Sequence, residues 1–227
     1  LYHVGMQRRT FLAVIPLLSV ATRSAFAQAS GRDAQLISAA AAGDLDSVER
    51  LLVQGASIHA RDAQGKTALN AAAYENHIHV ARRLIAAGSD VNAPDNVPRT
   101  PFMIAAVRGH VEILRMALAA GADVRTINQY GGTALIPACH YGHVEVVKEL
   151  LATRIDVDHV NRLGWTAMLE TVILGDGGPR HQEILRLLLA RGANRDIADR
   201  DGVTPLGHAR RRGYTAMIKL LETREKR

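Results

Sequence analysis

A single threonine position returns along this chain with nearly constant spacing. Thr67, Thr100, Thr133, Thr166 and Thr204 lie 33, 33, 33 and 38 residues apart. A small residue or proline and then an apolar residue follow each one: Ala68-Leu69, Pro101-Phe102, Ala134-Leu135, Ala167-Met168 and Pro205-Leu206. Gly109-His110 and Gly142-His143 keep the same step, with Asn76-His77 a near match. Gly55, Gly88 and Gly121 keep it again, and Gly192 resumes it after a five-residue excess. A period in this range marks a stack of small units, none of which buries its apolar face alone. Such a chain folds through contacts between sequence neighbours rather than distant strand pairing.

One unit can be read residue by residue. Asn128-Gln129-Tyr130-Gly131-Gly132 is turn chemistry, because glycine tolerates positive φ and asparagine bonds the turn backbone. Thr133 follows where a helix needs an N-cap, its hydroxyl placed to accept an orphan N–H. A short helix rich in small residues comes next, as in Ala71-Ala72-Ala73 and Ala105-Ala106, so neighbouring helices approach closely. Gly142-His143 turns the chain. A second helix carries Val144, Val146, Val147, Leu150 and Leu151, an apolar stripe at helical spacing. A glycine able to adopt the left-handed conformation closes it.

These motifs, with Gly88-Ser89-Asp90-Val91-Asn92-Ala93 and Gly121-Ala122-Asp123-Val124, resemble the ankyrin repeat family. The resemblance covers roughly Asp33 to Leu221. It implies an all-α solenoid of about six units, each a turn plus two antiparallel helices, starting near 33, 62, 95, 128, 161 and 199. Residues 28–227 are expected to form this one domain and to fold without residues 1–27. The family usually places His two positions after the residue that follows the Thr. Here Asn70, Met103, Ile136, Leu169 and Gly207 stand there, so the bond this His supplies between neighbouring turns is in question in every unit. Pro98 replaces the turn glycine of the third unit and predicts a stiffer finger. Pro137 falls early in its helix, where a missing N–H is tolerated. Arg154 replaces a helix-closing glycine, at a cost of about 1 kcal/mol if the backbone there stays left-handed. Asp176 to Arg180, the extra five residues, read as a loose surface insertion: Gly175-Asp176-Gly177-Gly178 has no phosphate-loop spacing and follows no strand.

Residues 1–27 read as a cleavable export signal. From Met6 a basic head (Arg8, Arg9) precedes an apolar run from Phe11 to Ala21 and the small-x-small site Ala25-Phe26-Ala27. The run is shorter than the roughly 20 residues of a membrane-spanning helix, and Pro16 interrupts it. Gln7-Arg8-Arg9-Thr10-Phe11-Leu12-Ala13 resembles the bacterial twin-arginine signal, with Gln7 and Ala13 departing from its usual Ser/Thr and Lys. Two arginines also serve as the basic head of a general secretory signal. The expected location is the periplasm, with no stable membrane insertion after cleavage.

Composition narrows the function classes. One cysteine excludes a disulfide framework and a Cys-based zinc cluster within one chain. Nine aromatics in 227 residues argue against a base-stacking platform. The net charge of +6 is local: seven basic residues lie between Gly207 and Arg227 and three in the signal, leaving the rest near neutral. Nucleic acid is therefore not the expected partner. His77, His110 and His143 share one repeat position and form a row, which reads as a structural slot where the imidazole bonds backbone. No His-Glu-x-x-His spacing occurs, and no metal or cofactor is expected. Cys139 stands at a small-residue helix position and reads as a buried hydrophobe.

Recognition remains. The family binds proteins through its turn tips and inner helices, so the resemblance implies a partner-binding set here. At the turns it comprises Gln64, Lys66, Asn96, Arg99, Gln129, Tyr130, Arg162 and Trp165. On the inner helices it comprises Tyr74, Glu75, Arg108, His140, Tyr141, Arg211 and Arg212. Tyr, Trp and Arg are the types enriched at interface hot spots. The expected function is a non-catalytic, monomeric protein-binding module, with support for an envelope enzyme as one variant. Two alternatives stand beside it: a periplasmic redox or enzymatic factor using Cys139 or the histidines, and a host-directed effector. Replacing Trp165 and Arg99 together by alanine is expected to weaken partner binding and leave melting nearly unchanged.

Overall fold

The computed structural model describes residues 17–223, with side chains from residue 30. The twin-arginine segment and the last four residues lie outside this range, and only the backbone is described around the small-x-small site. Among the described residues twelve helices follow one another in six pairs: α1 (Leu17–Ala42) and α2 (Leu45–Val53), α3 (Ala68–Tyr74) and α4 (Ile78–Ala86), α5 (Pro101–Arg108) and α6 (Val111–Ala119). The remaining pairs are α7 (Leu135–His140) and α8 (Val144–Leu151), α9 (Ala167–Ile173) and α10 (Pro179–Ala190), α11 (Pro205–Arg211) and α12 (Thr215–Glu222). Odd helices pack on odd and even on even, so the pairs stack into two layers. Among the described residues there is no strand, only an isolated bridge between Ile127 and Thr133. The fold is all-α.

The inner layer is built of small side chains. Ala68, Ala72, Ala73, Ala105, Ala106, Ala134 and Ala138 are buried, with Leu69, Phe102 and Leu135 filling the space between layers. The outer layer contributes Val80, Leu84, Ile113, Leu114, Val147, Leu150, Ile184 and Leu188 at helical spacing.

Between successive pairs the chain forms a finger. At the base of each finger an Asx oxygen accepts two backbone N–H groups, two and four residues on. Asp62 holds Gln64 and Lys66, Asp95 holds Val97 and Arg99, Asn128 holds Tyr130 and Gly132. Asn161 and Asp199 repeat the device. Thr67, Thr100, Thr166 and Thr204 then cap the inner helices, each hydroxyl accepting from the third residue of its helix at 3.1–3.3 Å.

Thr133 does not. Its neighbours in the series accept the N–H of the residue four positions on at the threonine carbonyl, as Ile104 does with Thr100. In the fourth unit that residue is Pro137, which has no N–H to give. The turn tightens instead, Ile136 N donating to the Thr133 carbonyl at 3.2 Å. α7 starts one residue later and is only six residues long. The buried Thr133 hydroxyl is left with no hydrogen-bond partner. The expected cap is therefore absent, and tolerance of Pro137 carries this local loss.

Two further expectations change. Arg154 does not adopt the left-handed conformation; among described non-glycine residues only Asn76 has positive φ. The closure is rewired through Thr153, whose hydroxyl donates to the Leu150 carbonyl at 2.6 Å and accepts from Ile155 N at 3.1 Å. The insertion at Asp176–Arg180 is anchored rather than loose. Asp176 Oδ1 lies 2.7 Å from His181 Nδ1, Gln182 Nε2 donates to the Gly177 carbonyl, and Tyr214 of the last unit donates to the Gly175 carbonyl.

Candidate functional site

The face formed by fingers and odd helices carries the predicted residues, and the structure divides them into two groups. Asn96 and Arg162 tie each finger to the one before it. Asn96 N donates to the Gln64 carbonyl and its amide to Ala63, while Arg162 donates from its backbone to Tyr130 and from its guanidinium to Gln129. Arg200 repeats the contact on Arg162. These side chains tie finger to finger while remaining exposed themselves.

The second group faces outward. Gln64, Glu75, Arg108, Gln129, Tyr130, Tyr141, Arg211 and Arg212 are exposed; Lys66, Tyr74, Arg99, His140 and Trp165 are half-buried. On the third, fourth and fifth fingers one position, each 33 residues from the next, presents an apolar tip. Val97 is 42%, Tyr130 56% and Leu163 47% exposed. Val97 and Leu163 stand at the same turn position as Tyr130, one the 33-residue register marks as variable.

At the near end of the face three cations surround one ring. Lys66 Nζ lies 4.8 Å from the Tyr74 ring centre, and the guanidinium carbons of Arg99 and Arg108 lie 5.0 and 5.2 Å from it. The Tyr74 hydroxyl donates to Asp95 Oδ2 at 3.0 Å. Burial, with that hydrogen bond behind it, pushes the phenol up to about 12. Arg99 completes the cluster, with a guanidinium nitrogen 3.1 Å from the same carboxylate oxygen. Asp95 is itself almost fully buried, so Arg99 belongs partly to the fold. That contact counts against the expectation that removing Trp165 and Arg99 together leaves melting nearly unchanged.

Further along, His140 stacks on Tyr141 at 4.3 Å and places Nδ1 3.8 Å from Glu170 Oε2. Glu170 is 6% exposed and accepts from the Asn161 amide at 3.0 Å. Burial lifts its carboxyl to about 7, against the pull of that amide. Burial, then the nearby His181, holds the His140 pKa down. The sequence signal for Glu170 was an acid in a column that reads Ala71, Ile104 and Pro137 in other units.

The histidine row has a defined task. His77, His110 and His143 each donate to a carbonyl of the preceding unit, at Ala41, Ala73 and Val107. His181 continues the column onto the His140 carbonyl, and Tyr214 ends it on Gly175. The inserted residues let His181 reach a slot that simple counting missed. Each ring lies flat over the turn before it: a Cβ at Gly109 would fall 2.6 Å from the His143 ring, and one at Gly177 equally close to Tyr214. Among the described residues no cluster of three His, Cys, Asp or Glu side chains could hold a metal. Cys139 is fully buried, and burial pushes its thiol far above the range of a nucleophile. Among the described residues no helix is long and apolar enough to cross a membrane.

Comparison with known proteins agrees with this architecture. The family model for ankyrin repeats in three copies matches residues 36–128 and 117–176. An Escherichia coli protein named for its ankyrin repeats, YahD, is 45% identical over 53 residues, 23% of this chain and 26% of that protein. A Rickettsia felis protein so named is 51% identical over 39 residues, 17% of this chain and 62% of that one. The chain thus spans about a quarter of the first relative and under two thirds of the second. Among solved structures, an ankyrin repeat domain from Acinetobacter baumannii shares 52% identity with a TM-score of 0.79, covering 82% of this chain and 95% of its own. The ankyrin repeat protein EF0377 shares 36% with a TM-score of 0.81, covering 85% and 98%. The repeat register, the stacked helix pairs and these matches agree: the chain belongs to the ankyrin repeat family.

Proposed function

We propose that this protein is a non-catalytic docking module of the bacterial periplasm that holds a protein partner against its fingers and inner helices. The supporting observation is the row of apolar tips at Val97, Tyr130 and Leu163, set on fingers whose bases are fixed by Asx bonds. Large side chains held in place before docking lose little entropy on binding. The fold is generally a protein–protein interaction module, and the buried Cys139 thiol offers no nucleophile. Export rests on the Arg8-Arg9 head, the apolar run and the Ala25-Phe26-Ala27 site.

The test is affinity capture of the exported, C-terminally tagged protein from periplasm, beside a Tyr130→Ser/Leu163→Ser variant. A protein retained by the first and lost by the second supports the reading. A partner retained equally by both moves binding off the fingertips. Arg8→Lys with Arg9→Lys blocks export if the twin-arginine route operates, and undiminished export assigns the general secretory route.

A further inference from the structure

We propose that the face binds one short extended segment of a partner, acidic at one end and apolar at the other, with its carboxylates seated among Lys66, Arg99 and Arg108. The inference deepens the docking reading above and rests on it.

The acidic end follows from the cation cluster. Lys66 comes from the second finger, Arg99 from the third and Arg108 from the end of α5. Three separate segments deliver like charges to one ring, at 4.8–5.2 Å from its centre. The Tyr74 π-face attracts each cation, but the cations repel one another. One counter-charge is built in, the Asp95 carboxylate, and the Tyr74 hydroxyl, Arg99 and two backbone N–H groups already occupy it. Glu75 is exposed, lines the same cavity as Lys66 and Tyr74, and its charge acts on His110. Asp62 holds the backbone N–H groups of Gln64 and Lys66. Among the described residues Lys66 and Arg108 form no ion pair. Beside the cluster, Lys66 and Tyr74 line a cavity of about 600 Å³ between α1 and α3 whose other charged walls are Asp33, Arg61, Asp62 and Glu75, so the acidic segment is seated on the Arg99 and Arg108 side of the ring and not in that cavity.

The apolar end follows from the repeat register. The positions that hold Lys66 and Arg99 in the second and third units hold Gly132 and Trp165 in the fourth and fifth. The position of Arg108 is taken by Tyr141 and then Leu174, which are 50% and 42% exposed. From the third to the fifth unit the face thus changes from basic to apolar, with Glu75 and Arg212 at the same position in the second and sixth units. From the second to the fifth unit are three helix-to-helix steps of about 8–10 Å. At about 3.3 Å per extended residue, eight or nine residues span that distance.

The test uses the full chain and a labelled nonapeptide of four glutamates, one glycine and four leucines, followed by fluorescence anisotropy. A second peptide carries lysines in place of the glutamates. The wild type is expected to prefer the glutamate peptide by about ten-fold or more, with affinity falling as salt rises through about 50–300 mM. Lys66→Ser with Arg108→Ser should remove that preference and flatten the salt dependence. Tyr141→Ser with Leu174→Ser should weaken both peptides. Arg82→Ser with Lys219→Ser, which removes equal charge from the exposed side of the outer helices α4 and α12, should leave affinity unchanged. Equal affinity for the two peptides, or equal loss in the Arg82/Lys219 variant, overturns the proposal. A periplasmic partner whose capture depends on Tyr130 and Leu163 but not on Lys66 and Arg108 also overturns it while leaving the docking reading intact. Peptide binding as described, with no protein captured through the face, sinks the docking reading and keeps the site.

Discussion

Asn70→Leu tests whether polar ties or apolar packing set the seam between the second and third units. Asn70 is fully buried. Its amide nitrogen donates to the Ala93 carbonyl at 3.3 Å and the Arg99 carbonyl at 3.2 Å, both in the next repeat. Its amide oxygen accepts from Thr67 N and from the Thr67 hydroxyl at 2.9 and 2.7 Å. Leucine shares the branching and heavy-atom count of asparagine though it is larger, and Leu169 occupies the equivalent slot, also fully buried. Four bonds contribute about 1 kcal/mol each. The leucine gains about 2 kcal/mol of apolar burial. The Arg99 carbonyl keeps a partner in Asp95 N, whereas Ala93 O and Thr67 N lose theirs. The expected net loss is about 2 kcal/mol, or about 4–8 °C in a chain of this length. Urea titration followed by circular dichroism reads the total, and amide exchange over residues 93–99 reads its location, which matters because a repeat array need not unfold as one unit. An unchanged or raised midpoint would refute the reasoning, because it would mean that the amide's four bonds are worth less than one buried leucine.

Thr133→Val should raise the melting temperature by removing a buried hydroxyl that has no partner, a gain of about 1 kcal/mol; Thr166→Val, which removes a working cap, should cost about as much. Thermal melts of the pair decide, and equal signs would contradict the Pro137 account. Glu170 is lifted to about 7 in the folded protein from an ordinary value of 4.5, so the folded state binds more protons between those values and this group's contribution falls as pH rises from about 4.5 to 7. Wild type should therefore lose on the order of 2 kcal/mol relative to Glu170→Gln between pH 5 and pH 8, read from urea midpoints. His110 and His143, held down by burial, tilt stability the other way below about 6.5 in both proteins, so a flat difference would remove Glu170 from the account. Arg99→Ala should cost about 1–2 kcal/mol by leaving Asp95 short of its cation, while Trp165→Ala costs less; the reverse order in thermal melts would return Arg99 to the surface. Cys139 should react with a thiol reagent only as the chain unfolds, and fast labelling of the native protein would reopen the redox alternative.

The repeat period made the architecture legible, because the same residue types must recur wherever the same turn, cap and stripe recur. What it hid were substitutions whose consequences fall on another residue. Pro137 could be seen to lack an N–H, but its effect is on the Thr133 hydroxyl four residues earlier. Arg154 could be seen to replace a glycine, but Thr153 beside it carries the repair. The insertion disguised His181, since a five-residue shift in number leaves the ring in the same place in space. Glu170 was visible as an acid in an apolar column, yet its burial and its approach to His140 depend on how two units stack. The residues of the candidate face fall in columns set by the repeat register, and within them Asn96 and Arg162 join finger to finger.

Those joints bear on how the face recognises anything. A ring column, from His77 to Tyr214, ties every successive pair of units through a backbone carbonyl. The finger ties are less complete. Asn96 joins the third finger to the second, and Arg162 and Arg200 join the fourth, fifth and sixth. Between the third and fourth fingers no hydrogen bond occurs among the described residues. Pro98 stands there, where a glycine in the other fingers provides the flat seat for the next side chain. Lys66 and Arg99 therefore ride on one tied pair of fingers, and Tyr130 and Leu163 on another. Carbonyl-anchored ties fix the side chains within each pair before a partner arrives, which keeps the entropic cost of docking low. The basic and apolar halves of the face are each preorganised by their own fingers and are joined to one another through the ring column and the core.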